Sequence, residues 1–406
     1  MDSLITAAAR ALSAGDPLGA LKRVALRDDP PALALRGIAM AQLGDFVRAK
    51  ALLKSAGRAF GARESVARAR CVVAEAEIAL VSRDLGWPVN ALAAARQTLA
   101  AHGDHINAGH AGNLQARRLL LVSDLEGATG VLSGFDSSPL PAASRVAYHL
   151  VRAGIAIRRL QTAPARQALA SAAAAANEAG IAGLTAEVEA ASRALAETAG
   201  RLVGRGTARP LRLDEVEALF ASDALIVDAT RNMVWAGDTA IPLGSRPVLF
   251  ALARALAEAW PGDVSRAELV ARAFGGKEAD ESHRARLRVE IGRLRAALAS
   301  LAEVTASKAG FVLAPLTSMK VAVLTPPVED ARGPLLALLA DGEAWASSAL
   351  AIALGCSPRT VQRALEGLSA EGKVQSFGRG RALRWIAATV PGFPTSLLLP
   401  GPLPGD

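Results

Sequence analysis

The chemistry in this sequence is carried by arginines at helical spacing. Between positions 284 and 295 stand Arg284, Arg286, Arg288, Glu290, Arg293 and Arg295. At 100° per residue, Leu287, Ile291, Leu294 and Leu298 fall on one apolar stripe that must face a core. Opposite lie Ala285, Val289, Gly292 and Ala296, small side chains that let the helix spine approach a surface closely. Arg286 and Arg293, with Glu290, line one flank; Arg284, Arg288 and Arg295 line the other. A smooth ridge between guanidinium groups suits the major groove of double-stranded DNA. There Arg reads guanine through two hydrogen bonds or neutralises phosphate at a groove wall. Glu290 accepts from cytosine, or orients Arg286 or Arg293 through an ion pair. The plain alternative is a solvated arginine-rich face, since only seven of the 46 basic residues are Lys.

A second stretch repeats that geometry. Gly355-Cys356 reads as a turn, Ser357 as an N-cap and Pro358 as the first helical residue. On the helix that follows, Val361, Leu365 and Leu368 point inward. Arg359 and Arg363 point outward, flanked by Thr360 and Gln362, so Ser357 and these four residues form the second candidate DNA-contact set. Gln pairs with adenine and Arg with guanine. Further on, "FGRGRALRW" (377–385) places Arg379 and Arg381 around Gly380, with Arg384 close by. Arginine at a hairpin tip suits a minor groove or phosphate.

These faces need elements to hold them. Residues 1–200 read as helix almost throughout. One pattern recurs, a helix ending in Gly-Asp with Ala four residues after the Asp: Gly15-Asp16…Ala20 and Gly44-Asp45…Ala49, 29 residues apart. Gly closes one helix in a left-handed cap and Asp caps the next. Weaker echoes stand at Asp84-Leu85-Gly86…Ala91, Asp124-Leu125…Ala128 and Leu160…Ala163-Ala165. Each helical hairpin must stack on a neighbour to bury its face. "LRGIAMAQLGDFVRAKALLKSAGRAF" (35–60) above all resembles the tetratricopeptide repeats, without their Trp, Tyr and Pro marks.

Beyond a Gly/Pro/Arg-rich linker at 201–212, the texture changes. Leu225, Val227, Val234, Trp235 and Ile241 fall in short strand-like runs. Helical patterns follow at 246–260, 265–274 and 281–299, then a hairpin at 303–315. "IPLGSRPVLFALARAL" (241–256), "VSRAELVARAFGG" (264–276), "LRVEIGRLRAAL" (287–298) and "AGFVLAP" (309–315) together resemble the OmpR/PhoB-type winged helix. The resemblance puts recognition-helix contacts on Arg286, Val289, Glu290, Arg293 and Arg295, and a wing contact to phosphate on Lys308. The receiver domain that usually precedes this winged helix has no counterpart, so phospho-relay control is not implied. Residues 348–386 resemble a second bacterial winged helix-turn-helix.

The expected fold class is therefore mainly α. A TPR-like α-helical repeat domain (1–200) precedes an OmpR/PhoB-type winged helix (213–316), a strand-like connector (317–330), a second winged helix-turn-helix (331–389) and a disordered tail (390–406). Composition removes other classes. Lys and Arg number 46 against 38 Asp and Glu, a net charge of +8. Hydrophobic residues reach 51% but aromatics only 4%, so cores of Ala, Leu and Val are expected. Cys71 and Cys356 supply no disulfide framework. His102 and His105 are the one pair of the five His at helical spacing, and no HExxH, GxSxG or GxxxxGK[ST] occurs. No enzyme activity, cofactor, metal site or membrane span is expected. The expected role is cytoplasmic, nucleoid-associated transcription regulation. Double-stranded DNA is the main partner. RNA polymerase or another regulatory protein would bind the helical domain, which is also a candidate for self-association. The competing expectation is a protein-interaction scaffold whose winged helices dock proteins.

Overall fold

A computed structural model describes residues 3–204, 206–274, 281–317, 320–327, 332–339, 344–380 and 383–387. It is mainly helical, with a smaller sheet-containing C-terminal region. Its described residues form two compact units. One holds 3–159, 163–192 and 332–387; the other holds 160–162 and 193–327.

The first unit opens with α1 (Ser3–Ser13), α2 (Pro17–Val24), α3 (Pro30–Gln42), α4 (Phe46–Ala59), α5 (Ser65–Val81), α6 (Val89–Ala101), α7 (His105–Leu121), α8 (Leu125–Ser133), α9 (Ala142–Arg158), α10 (Thr162–Ala179) and α11 (Ala182–Arg193). Consecutive helices from α1 to α8 pack on one another. Asp16 accepts from the Gly19 amide at 2.8 Å, Asp45 from Arg48 at 3.1 Å and Asp124 from Gly127 at 2.8 Å. Ala20, Ala49 and Ala128 are fully buried at the helix contacts these caps set up. The echo at Asp84 departs from the pattern. Helix α6 starts behind Pro88 with no side-chain cap, and Asp84 instead pairs with Lys50 at 3.4 Å. Another copy of the motif stands at Gly103-Asp104…Ala108, where Asp104 caps Asn107 and holds Arg70 at 2.7 Å.

The successive cores are largely Ala and Leu, because few aromatics exist to widen the helix spacing. A buried polar line runs along α7. Its His110 Nε2 lies 3.1 Å from Glu77 Oε2 on α5, and its Asn113 Nδ2 donates to the Ser144 carbonyl on α9 at 2.9 Å. Buried polar groups without such partners would be costly, so these bonds favour one register of the three helices.

In the second unit, β1 (Gly200–Gly204) and β2 (Thr207–Leu211) form an antiparallel hairpin. This corrects the expected linker at 201–212. The segment lacks apolar alternation, but β1 pairs with β9 (Val321–Thr325), whose Val323 is fully buried. The six-stranded sheet runs β2-β1-β9-β3-β4-β5, with β3 (Leu225–Asp228), β4 (Met233–Ala236) and β5 (Thr239–Pro242). Strand β9 lies parallel to β3, so the stretch read as a connector contributes an interior strand. Helix α12 (Leu213–Phe220) precedes β3. Helices α13 (Pro247–Ala259), α14 (Arg266–Phe274) and α15 (Glu281–Leu298) follow the sheet. A smaller sheet, β6-β8-β7, closes the unit with β6 (Val264–Ser265), β7 (Ala302–Ala306) and β8 (Gly310–Pro315). Gly310 is dictated by contact: a Cβ there would lie 1.8 Å from the Val264 carbonyl oxygen.

Residues 332–387 return to the first unit. They comprise α16 (Gly333–Leu339), α17 (Ser347–Leu354), α18 (Pro358–Ala370) and the hairpin β10 (Val374–Phe377)/β11 (Arg384–Ala387). Gly355 takes φ +61° between α17 and α18, so it provides the expected turn. The expected tail, 390–406, and Arg381 lie outside the described residues.

Candidate nucleic-acid interface

Helix α15 is oriented by its apolar stripe. Leu287, Ile291, Leu294 and Leu298 are buried in the core of the second unit, alongside Leu252, Leu256 and Leu269. Four such side chains bury roughly 6–12 kcal/mol of apolar transfer free energy, which fixes the helix rotation. The opposite face is therefore turned to solvent: Ala285, Val289, Gly292 and Ala296 are exposed, Val289 by 54%. A Cβ at Gly292 would meet no atom within 4 Å, so nothing in the described structure covers the ridge there.

The arginines divide by partner. Arg284, Arg288 and Arg293 are exposed. Arg293 Nη1 lies 2.8 Å from Glu290 Oε1, its side chain 64% exposed while that of Glu290 is only 12% exposed. Glu290 thus orients Arg293 through an ion pair. Arg286 is exposed, and its guanidinium lies 4.6 Å over the Phe274 ring on α14. Arg295 is also exposed, but its Nε donates to the Val304 carbonyl at 2.6 Å and its guanidinium sits 6.0 Å over Phe311, so it ties the helix to the β7–β8 hairpin. Helical spacing could not foresee that, because the partner is a carbonyl on another element.

Lys308 is exposed at the tip of that hairpin. The tip is braced: Ser307 Oγ donates to Asp263 at 2.6 Å and accepts from the Gly310 amide at 2.8 Å. Arg246 was missed by the sequence reading. It precedes Pro247 at the start of α13 and lines, with Val248, Leu249, Glu290 and Arg293, an open cleft of about 470 Å³. Within it the Glu290 carboxylate pairs with Arg293, while Arg246 stands beside the N-terminus of α13, where an anion would be favoured. The available signal was an arginine directly ahead of a helix-starting proline.

Helix α18 is positioned in the same manner. Ser357 Oγ accepts from the Thr360 amide at 3.1 Å and lies 2.8 Å from the Thr360 hydroxyl, so both side chains serve the cap. Val361, Leu365 and Leu368 are buried, whereas Arg359, Gln362 and Arg363 are exposed. The hairpin after α18 exposes Arg379, and beside it Phe377 is 51% exposed. Arg384 is half-buried on β11, opposite Phe377 in the ladder pair next to the hairpin loop, and donates to the Leu383 carbonyl at 3.0 Å.

Elsewhere, His102 Nδ1 lies 2.8 Å from the Thr98 carbonyl at the end of α6. Among the described residues, no group of three or more His, Cys, Asp or Glu could hold a metal, and no helix is long and apolar enough to cross a membrane. No family model, curated protein or solved structure matches the chain.

Proposed function

We propose that this chain is a sequence-specific double-stranded-DNA-binding transcription regulator. In this reading 213–316 is an OmpR/PhoB-type winged helix, 331–389 a second winged helix-turn-helix, and the N-terminal array a TPR-like domain that binds a regulatory partner such as RNA polymerase or another copy of itself. One observation carries the reading: α15 and α18 each bury an apolar stripe, expose arginines on the opposite face, and are followed by a β-hairpin with an exposed cation at or near its tip, Lys308 or Arg379.

The proposed roles follow from exposure. Arg293 and Arg363 read bases, with Gln362 beside Arg363 for adenine. Arg284, Arg288 and Arg359 meet groove walls, and Arg246 and Lys308 meet phosphate. Arg295 positions the wing. A second reading, protein docking, is favoured by exposed apolar side chains on α15 and on the hairpin after α18, Val289 and Phe377. The two readings separate in a titration of the full chain against random duplex. DNA binding weakens as counterions compete, whereas a docking module shows no salt-dependent affinity for duplex.

A further inference from the structure

The third helical hairpin breaks the pattern of the first two at its turn. Gly15 and Gly44 close α1 and α3 at φ +74° and +85°, whereas the corresponding position after α5 is Arg83 at φ +50°. Ser123 and Leu160 take the same left-handed conformation after α7 and α9, at φ +63° and +55°, so what sets Arg83 apart is its side-chain partner. Its guanidinium lies 5.4 Å over the ring of Trp345, ahead of α17, and its Nη1 donates to the Leu80 carbonyl at 2.9 Å. Arg83 is 5% exposed and Trp345 fully buried. A cation over an indole is strongest where water is excluded. Reciprocal 2.8 Å backbone hydrogen bonds tie Trp345 to Trp385 on β11, so the stacked ring belongs to the frame of the C-terminal segment.

Leu85 adds an apolar contact. It is buried in the same core as Leu339, Leu350, Val361 and Leu365, the residues that orient α18. Leu121 and Val122, at the end of α7, pack against that core as well. Arg118 Nη2 donates to the Leu85 carbonyl at 3.2 Å, joining the ends of α5 and α7. Meanwhile Arg359, Gln362 and Arg363 remain exposed. The contact therefore carries the C-terminal module without covering its outward helix face.

We propose that the Arg83–Leu85 turn, with the end of α7, is a docking surface for the chain's own C-terminal module, so that module and helical array act as one body. The 193–330 segment is then an insertion between them in sequence. That α18 reads DNA rests on the proposed function; the docking does not.

The test is hydrogen exchange on the full-length protein, comparing the unaltered chain with Arg83→Gly and Leu85→Asp. Arg83→Gly installs the residue that the first two hairpins use at the left-handed position, so the array keeps its turn and loses only the guanidinium. Exchange over 345–387 is expected to quicken about tenfold or more in Leu85→Asp and by a smaller factor in Arg83→Gly, with α1–α4 and residues 225–315 unchanged. Unaltered protection of 345–387 in both variants overturns the docking. Should Leu85→Asp also unprotect the array, Arg83→Gly decides alone. Duplex titration of the same variants separates the claims: a response in exchange with unchanged duplex affinity leaves the docking standing and removes α18 as a DNA reader.

Discussion

Arg293 and Arg363 hold equivalent places, each exposed on a helix whose other face is locked into a core. If they read bases, Arg293→Ala or Arg363→Ala costs about 1–3 kcal/mol on the specific duplex and relaxes preference at one position. Lys308→Ala, at a hairpin tip, weakens all sequences alike and lowers the salt slope by about one unit. Competition between specific and random duplexes measures both effects. An unchanged specific-to-random ratio in both arginine variants removes base reading from these helices. Arg295→Ala is expected to loosen β7–β8 rather than change the ratio, since its Nε is spent on the Val304 carbonyl. The cysteines give an independent check on burial. Burial, with Glu75 nearby, pushes the Cys71 thiol up to about 12, and thiolate is the reactive form. Iodoacetamide at pH 8 is therefore expected to label half-buried Cys356 and to reach Cys71 only on unfolding. Equal labelling of both in the native chain would show that the α4–α5 core is open.

At the scale of elements, caps and close contacts set the geometry. Asp45→Ala removes the acceptor for the Arg48 amide and should cost about 1 kcal/mol, read as a lowered denaturation midpoint. Gly310→Ala drives a Cβ into the Val264 carbonyl, so β6 must part from β8. The expected result is a loss of about 3 kcal/mol or detachment of the strand, seen as new amide exchange at 264–265. Much of this was legible in the sequence. The stripe Leu287–Ile291–Leu294–Leu298 gave α15 its rotation, and Ser357-Pro358 gave α18 its start, because both signals are local. The hairpin β1–β2 was not legible: its strand β1 is stabilised by β9, more than a hundred residues later, and the segment itself has no alternation. The contact of Arg83 with Trp345 and that of Arg295 with the Val304 carbonyl were not legible for the same reason, since each partner lies on another element. Gly103-Asp104…Ala108 is legible too, since it repeats the local pattern of Gly15-Asp16…Ala20 and Gly44-Asp45…Ala49.

For the whole molecule, the division that matters is the one between compact units. Residues 193–330 carry their own sheets and core, so that fragment alone is expected to fold cooperatively. A fragment starting at 213 would lack β1 and β2 and should be less stable, which thermal unfolding of the two fragments compares directly. The central claim concerns the intact chain: two arginine-faced helices on one polypeptide grip duplex DNA. The most direct measurement is the affinity of the full-length protein for a duplex across a series of salt concentrations. The expected result is a linear fall of log affinity with log salt, with a slope of about −0.9 for each phosphate neutralised. An affinity that does not change between low and moderate salt, or an absence of duplex binding at low salt, would contradict the DNA-binding assignment and leave protein docking as the function of both helix faces.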